Sequence, residues 1–475
     1  MLINKIQYRY IVAAIYSCVL FLDRLDLTIV NIILPSLAEY FHIPITQTEW
    51  ITNSFLIALP ISIPISAWLG DRFGIKKVFI LATILFALSS LLCAYAPNIY
   101  AMIAFRFFQG IGGGIIIPVG MTMVYRGFDH SEYASITSFI FLPTLIAPAL
   151  GPALGGAIVH FVNWQWVFIF VVPICFIAVI MSFYVLKEQK IVNPNSLDWI
   201  GFILSSCALT LLLYSISSFG KYGVNFNNIL IFFLSVVIIY TFLRYEKNIK
   251  NPLFDIKYFK NELFAQANLI QLAFQICHFG SIFLIGMYFQ IGIGMSALMS
   301  GVIMEMQALG AMCTSRYSVR LFNSYGPQLP ITIGCLGVAV CTICILLINS
   351  VDLALFGCIL LFVRGIFSGL CGTPIQTISV IGFQKEDVSR VSALFNVGRQ
   401  VSISLGVALS SLFIGYGFNL HNLHLNQTTL KVGSSPFYYA FTLIFIVALI
   451  GMTFCSKLNS RSRESSNKVW LGNKH

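Results

Sequence analysis

Asp23, Arg24 and Asp26 interrupt a long apolar run near the start of a chain that is only 9% charged. Ionisable side chains inside a bilayer-length run are costly, and they are kept for pairing or for moving protons and ions. Asp23 and Asp26 are three residues apart and so share one face of a helix. A carboxyl in hydrocarbon gives up its proton reluctantly, whereas a neighbouring arginine favours the charged form. Balanced between these influences, a carboxyl can load a proton on one side of a membrane and release it on the other. The alternative for Asp26 is a fixed ion pair with Arg24 or Arg106. For Asp23, one turn shallower, the two readings stand level.

Arg106 lies five residues beyond Ala101 in another apolar run and must find an anion or carbonyl groups. It either tunes a protonatable carboxylate or clamps helices together. Arg364, and Arg399 with Gln400, pose the same choice more weakly. Glu305 is a third buried acid, either a substrate contact or a neutral acid hydrogen-bonded between helices. With Asn31, Gln109, Asn396 and Arg399 it makes up a candidate substrate-contact set. His278 could titrate, although a lone histidine in a membrane helix is more often a packing residue.

Residues 69–77 read Leu-Gly-Asp-Arg-Phe-Gly-Ile-Lys-Lys, charge crowded between two apolar stretches. Gly70 and Gly74 permit a tight two-helix turn, and Asp71 near a helix N-terminus gains ~0.3–1 kcal/mol. Arg72, Lys76 and Lys77 can bridge neighbouring helix ends, so the cluster reads as a gate. A purely topogenic loop would need the lysines but neither Asp71 nor the glycines. A neutral echo follows at 321–329, where Leu321 and Gly326 match but Asn323, Ser324 and Gln328 replace charges. On that comparison the latch charges belong to the N-terminal half. A second seam is predicted at 147–156. Ala147, Gly151 and Gly155 recur every four residues and Gly156 follows, a small-residue face for close helix approach. Pro148 and Pro152 remove backbone donors and bend that helix.

The elements that must hold these groups are helices in a bilayer. The 475 residues are 58% hydrophobic with a mean hydropathy of +0.87, too little polar surface to coat a soluble globule. A bilayer core needs ~20 apolar residues per helix. Fourteen stretches qualify, roughly 11–34, 49–69, 77–96, 99–124, 134–160, 166–186, 198–220, 227–245, 264–290, 298–318, 328–349, 353–379, 391–416 and 436–457. They are too long and too little alternating for barrel strands, so the expected fold is an all-α integral membrane bundle. Of the 28 Lys and Arg, 22 fall on one side of these stretches, Lys221 and Lys431 on the other, and four inside. By the positive-inside rule both termini are cytoplasmic. The net charge of +11 is therefore topology, and no nucleic-acid partner is expected. The N-terminal stretch reads as an uncleaved first helix rather than a signal peptide.

No segment outside the stretches is long enough for a soluble domain, and no phosphate-binding loop is present, since Gly112-Gly113-Gly114 lacks the lysine and strand. Neither an enzyme nor an ATP-driven pump fits. Cys341 and Cys344 have redox or metal spacing but no His or acidic company, so no metal or cofactor is expected. Arg106 with its following glycines and Pro118 repeats as Arg364, Gly365, Gly369, Gly372 and Pro374, on nearly the offset of the hinge echo. A duplicated machine follows, with its substrate site at the repeat interface. The division expected is a six-helix bundle at 1–186, two inserted helices and a linker at 187–263, a second six-helix bundle at 264–458, and a tail at 459–475.

Together these segments resemble the major facilitator superfamily, in particular its fourteen-span drug:proton antiporter branch (the EmrB/QacA type). Residues 69–77 match the loop between spans 2 and 3, with Ala67 where a first glycine is usual. Leu25 to Asn31, ending Leu34-Pro35, is similar to the span 1 motif of that branch. Arg106 to Gly114 is similar to the span 4 motif, and Gly151-Pro152 with Gly155-Gly156 to the antiporter motif. Trp164 to Phe168, Asp198 to Gly201, Asn251-Pro252-Leu253 and Leu394 to Gln400 are further branch-like segments. Gln165 replaces an arginine common in the first of these, and Glu305 stands where leucine or proline is more usual. The resemblance implies two six-helix domains and proton-driven export, with Asp26 and Arg106 in coupling roles.

The expectation is therefore a proton-coupled antiporter that exports small amphiphilic compounds by alternating access from the inner membrane. Its partners would be substrate, protons and lipid, with a monomer as the working unit and room for a periplasmic adaptor. Three membrane acids against four arginines fit neutral, zwitterionic or anionic amphiphiles at least as well as cations. The alternatives are a dedicated exporter of one endogenous metabolite or metal chelator, and a non-transporting sensor on the same fold.

Overall fold

The computed structural model describes residues 5–43, 45–188, 196–222, 225–249, 252, 255–384, 387–421, 432–456 and 458. Among them are fifteen α-helices, a few 3-10 or π turns and no β-strand. The first group is α1 (Lys5–Tyr40), α2 (Ile45–Phe73), α3 (Ile75–Ala94), α4 (Ile99–Tyr125), α5 (Tyr133–Phe161), α6 (Gln165–Ile169) and α7 (Val171–Val185). A hairpin of α8 (Trp199–Tyr222) and α9 (Phe226–Asn248) follows. The last group is α10 (Glu262–Met287), α11 (Ala297–Tyr325), α12 (Gln328–Cys344), α13 (Ala354–Ile378), α14 (Val388–Leu420) and α15 (Tyr438–Ser456).

All fourteen predicted stretches fall on helices, with α6 and α7 together making the sixth. Eleven helical segments among the described residues are long and apolar enough to cross a membrane. The count does not include α1, α5 or α11. α1 carries Asp23, Arg24 and Asp26 within its length, and α11 carries Glu305, Gln307, Arg316 and Arg320. In α5 the side chains of 148, 149, 152 and 153 lie outside those described. Polar helices of this kind are the ones that a transport pathway requires.

Local signals set several helix ends. Asn98, Asn225 and Asn261 accept from backbone N–H groups at the starts of α4, α9 and α10, donors that would otherwise be orphaned. Gly74 joins α2 to α3 at φ 96°, and Gly326 joins α11 to α12 at φ 81°. Only glycine takes that region without strain, which explains why the hinge and its echo share this residue and little else.

The two groups of helices pack alike. α1 lies on α5, α2 on α4, and α3 on α4 and α7; correspondingly α10 lies on α14, α11 on α13, and α12 on α13 and α15. The match extends to contacts: Gly110 and Gly114 of α4 press on Phe55, Ala58 and Leu59 of α2, while Gly365 and Gly369 of α13 press on Gln307 and Ala311 of α11. Small residues at a spacing of four bring these backbones together where lipid offers no hydrophobic drive. The groups meet along α2–α14 and α5–α11. Ile63 and Ala67 of α2 pack with Ala393 of α14, and Ser138 of α5 hydrogen-bonds Ser315 of α11.

The hairpin stands apart from the repeat. α8 touches both α2 and α14, with Ser205, Ser206, Ala208, Ser215 and Ser218 buried along it, and Ser206 donating to Ile61 O at 3.4 Å. α9 presents Ile229, Leu230, Phe233 and Leu234 outward. Exposed apolar surface of that extent fits a lipid-facing wall.

Candidate functional site

Asp26 of α1 and Arg106 of α4 meet in the interior of the first group, both 0% exposed. Arg106 Nη1 donates to Asp26 Oδ2 at 2.5 Å and to Gln109 Oε1 at 2.7 Å. Gln109 Nε2 in turn donates to Asp26 Oδ1 at 3.1 Å, so both carboxylate oxygens are held. Arg106 Nε donates to Ile51 O at 3.3 Å, and the guanidinium lies 4.6 Å from the Phe55 ring centre. A buried pair survives only with such additional bonds, because desolvating two charges is costly. Of the two partners named for Asp26 from sequence, the structure selects Arg106. Gln109 serves the pair rather than standing open to a ligand.

Asp23 has no such support. It is 0% exposed, and neither carboxylate oxygen has a hydrogen-bond partner among the described residues. Its nearest cation is Arg24, whose Nε is 3.6 Å from Oδ2. Gly113 of α4 lies against the carboxyl, with Phe55 and Leu59 beyond. One turn of α1 thus carries a clamped acid and a loose one.

The equivalent place in the second group is built from neutral parts. Arg364 of α13 is 0% exposed and donates to Gln307 Oε1, to Ser281 Oγ, to Thr342 Oγ1 at 3.0 Å and to His278 O at 3.5 Å. No carboxylate reaches it among the described residues. Gln307, Ser281 and Thr342 were not foreseen; only their place on α11, α10 and α12, facing an arginine already predicted, could have marked them.

The remaining candidates are scattered. Asn31 is exposed, donates to Leu27 O at 3.1 Å and accepts from Thr52 Oγ1 at 3.0 Å. Asn396 is buried and donates to Ser392 O at 2.8 Å. Glu305 is half-buried, with no side-chain hydrogen bond or ion pair among the described residues. Arg399 of α14 lies 5.8 Å from the Phe141 ring of α5 and so reaches across from one group to the other.

At the hinge, Asp71 is buried with Arg126 Nη2 at 3.7 Å and Arg390 Nη2 at 3.6 Å. Arg126 follows α4 and Arg390 lies in the first turn of α14, so this charge contact joins the two groups rather than remaining in the N-terminal one. Arg390 had counted only as a topogenic charge, because nothing local ties it to Asp71. Lys76 Nζ donates to Phe183 O at 2.6 Å, and Lys76 N donates to Glu188 Oε1 at 3.2 Å, tying α3 to the end of α7. Gly74 makes the turn, Gly70 belongs to the last helical turn of α2 and accepts from Gly74 N at 3.0 Å, and Arg72 and Lys77 are exposed. On the α5 seam, Gly151 lies against Thr28 and Gly155 against Ile29 of α1, whereas Gly156 faces open space. The side chains of Pro148 and Pro152 are outside the described residues, as are Asn251 and Leu253 of a branch-like segment.

Two repeated helical groups in the membrane, the first enclosing a buried ion pair, fit a transporter class of protein. The Major Facilitator Superfamily profile matches residues 16–407, and the chain belongs to that superfamily. Relatives named for multidrug resistance, MdtD, are 26% identical over 457 residues in Enterobacter sp. (strain 638), covering 93% of each chain. In Escherichia coli O81 (strain ED1a) identity is 27% over 438 residues, covering 91% of this chain and 92% of the relative. By fold, the chain is similar to the human organic anion transporter MFSD10 (TETRAN), with TM-score 0.65 and 15% identity over 94% of this chain and 99% of that one. It is also similar to the proton:xylose symporter XylE, with TM-score 0.66 and 11% identity over 96% of each. The protein is a multi-pass membrane transporter and not an enzyme.

Proposed function

We propose that the protein is a proton-coupled antiporter that exports small amphiphilic compounds by alternating access, on the fourteen-span plan of the EmrB/QacA type. The observation that carries this reading is the Asp26–Arg106–Gln109 cluster, a titratable pair sealed in one half while its counterpart around Arg364 is neutral. Protonating Asp26 would release Arg106 from its carboxylate and loosen the hold of α4 on α1. Asp23, close by and without donors, is the second proton-coupling group. A proton moving inward releases ~2.3 kcal/mol per 100 mV, enough per turnover to drive an uphill substrate outward.

Asp71 forms the inner latch with Arg126 and Arg390, and the helix ends beside it are steadied by Lys76. The charge distribution supports a cytoplasmic location for this end and for both termini, in the bacterial inner membrane. The contacts that join the halves, at Asp71, Ala67 and Ser138, lie toward this end, while Asn31 toward the other is exposed. That pattern fits a conformation closed to the cytoplasm. Names given to the MdtD relatives support multidrug-type export as the task.

In everted membrane vesicles, Asp26→Asn is expected to abolish ΔpH-driven efflux of a transported dye per unit of protein inserted in the membrane. Retained ΔpH-driven efflux in that variant would remove Asp26 from the coupling role.

A further inference from the structure

Arg399 is a membrane arginine with no anion. Among the described residues it makes no ion pair or hydrogen bond, and its guanidinium lies 5.8 Å from the centre of the Phe141 ring on the opposite half. Ser17 of α1 donates to Ile140 O at 2.9 Å, pinning this part of α5 onto α1. Arg399, carried by α14, therefore comes up against the α1–α5 seam. Arg24 lies seven residues from Ser17, about two turns along α1, and its positive charge acts on Arg399. His278 of α10 feels the charge of Arg399 and adds no negative charge.

Countercharge here is scarce. Asp26 is fully occupied by Arg106 and Gln109, and Asp23 sits 3.6 Å from Arg24, beyond hydrogen-bond length. Arg24 thus has one loosely held carboxylate, and Arg399 has none among the described residues. Arg399 is part-buried, but an arginine within the membrane still calls for an anion or carbonyls, and an aromatic face alone is a weak substitute. A cation entering between the halves would meet repulsion from both sides; an anion would supply the missing partner.

We propose that the pathway between the halves binds an organic anion, an amphiphile bearing a carboxylate or sulfonate, with Arg399 selecting its charge and Arg24 facing it from the other half. The apolar body of such a ligand would rest on Phe141. The proposal deepens the exporter reading and rests on it for its meaning in transport, but binding itself requires no proton coupling.

The test uses the full-length protein in lipid nanodiscs with two probes of matched shape and opposite charge, tetraphenylborate and tetraphenylphosphonium, against empty nanodiscs. The wild type is expected to bind the borate more tightly. Arg399→Gln should reduce the borate-to-phosphonium affinity ratio by about tenfold, and Arg399→Lys should keep it. A wild type that binds the phosphonium equally well, or an unchanged ratio in Arg399→Gln, overturns the proposal. Should Arg399→Gln lose both probes through misfolding, Arg24→Gln carries the test, and an unchanged ratio there counts against it equally. Preference for borate without substrate-driven proton movement in proteoliposomes would sink the exporter reading and leave the anion site standing.

Discussion

Arg106 and Arg364 occupy equivalent places in the repeat but have different company, and the difference is measurable residue by residue. Arg106→Gln leaves Asp26 buried without its cation, a loss of ~3–5 kcal/mol for a broken buried pair. Arg364→Gln removes hydrogen bonds to neutral groups, at ~1–3 kcal/mol. Thermal unfolding of the purified variants should therefore show the larger fall in Tm for Arg106→Gln, with part of it restored by adding Asp26→Asn. Equal falls, or no restoration, would mean that the pair is not the main stabilising contact. Sequence spacing led directly to this pair, because a lone arginine and a lone acid in hydrocarbon must each find a partner. Gln109 could have been added on the same ground, being three residues after Arg106 and thus on its face. Arg390 and Phe141 could not, since their partners lie on distant helices and follow no periodicity.

Among the helices, the repeated approach of α4 to α2 and of α13 to α11 depends on glycine at a spacing of four. Gly369 faces the Ala311 backbone, whereas Gly372, three residues on, has open space around it. Gly369→Val should force α13 away from α11 at a cost of ~1–3 kcal/mol, read as lower Tm and a loss of monodisperse protein. Gly372→Ala should be silent or slightly stabilising, since alanine is the better helix former by up to about 1 kcal/mol. A harmful Gly372→Ala would show that the open face is a packing surface after all. Helix positions were readable from hydropathy alone, and the hinge from Gly74 and Gly326. The pairing of helices was not, because hydrophobic runs in a bilayer carry little sign of which neighbour each will meet.

In the whole molecule, the halves touch where Ser138 of α5 meets Ser315 of α11 and where Asp71 meets Arg390. Cysteines at 138 and 315, in a background with the 12 native cysteines replaced, should form a disulfide that stops transport, with activity returning on reduction. Full activity in the cross-linked state would show that these helices need not separate. Asp71→Asn should lower turnover while leaving ligand affinity unchanged, checked by efflux rate against binding; loss of affinity alone would argue against a latch. The helix α8 gives this opening a mechanical consequence. Because it rests on α2 and α14 together, any separation of those helices must shear one of its two contacts. Its buried residues include Ser205, Ser206, Ala208, Ser215 and Ser218 beside Leu213 and Ile216, so short groups outnumber bulky ones. The hairpin can therefore act as a bearing, keeping lipid out of the widening seam while one half slides past it.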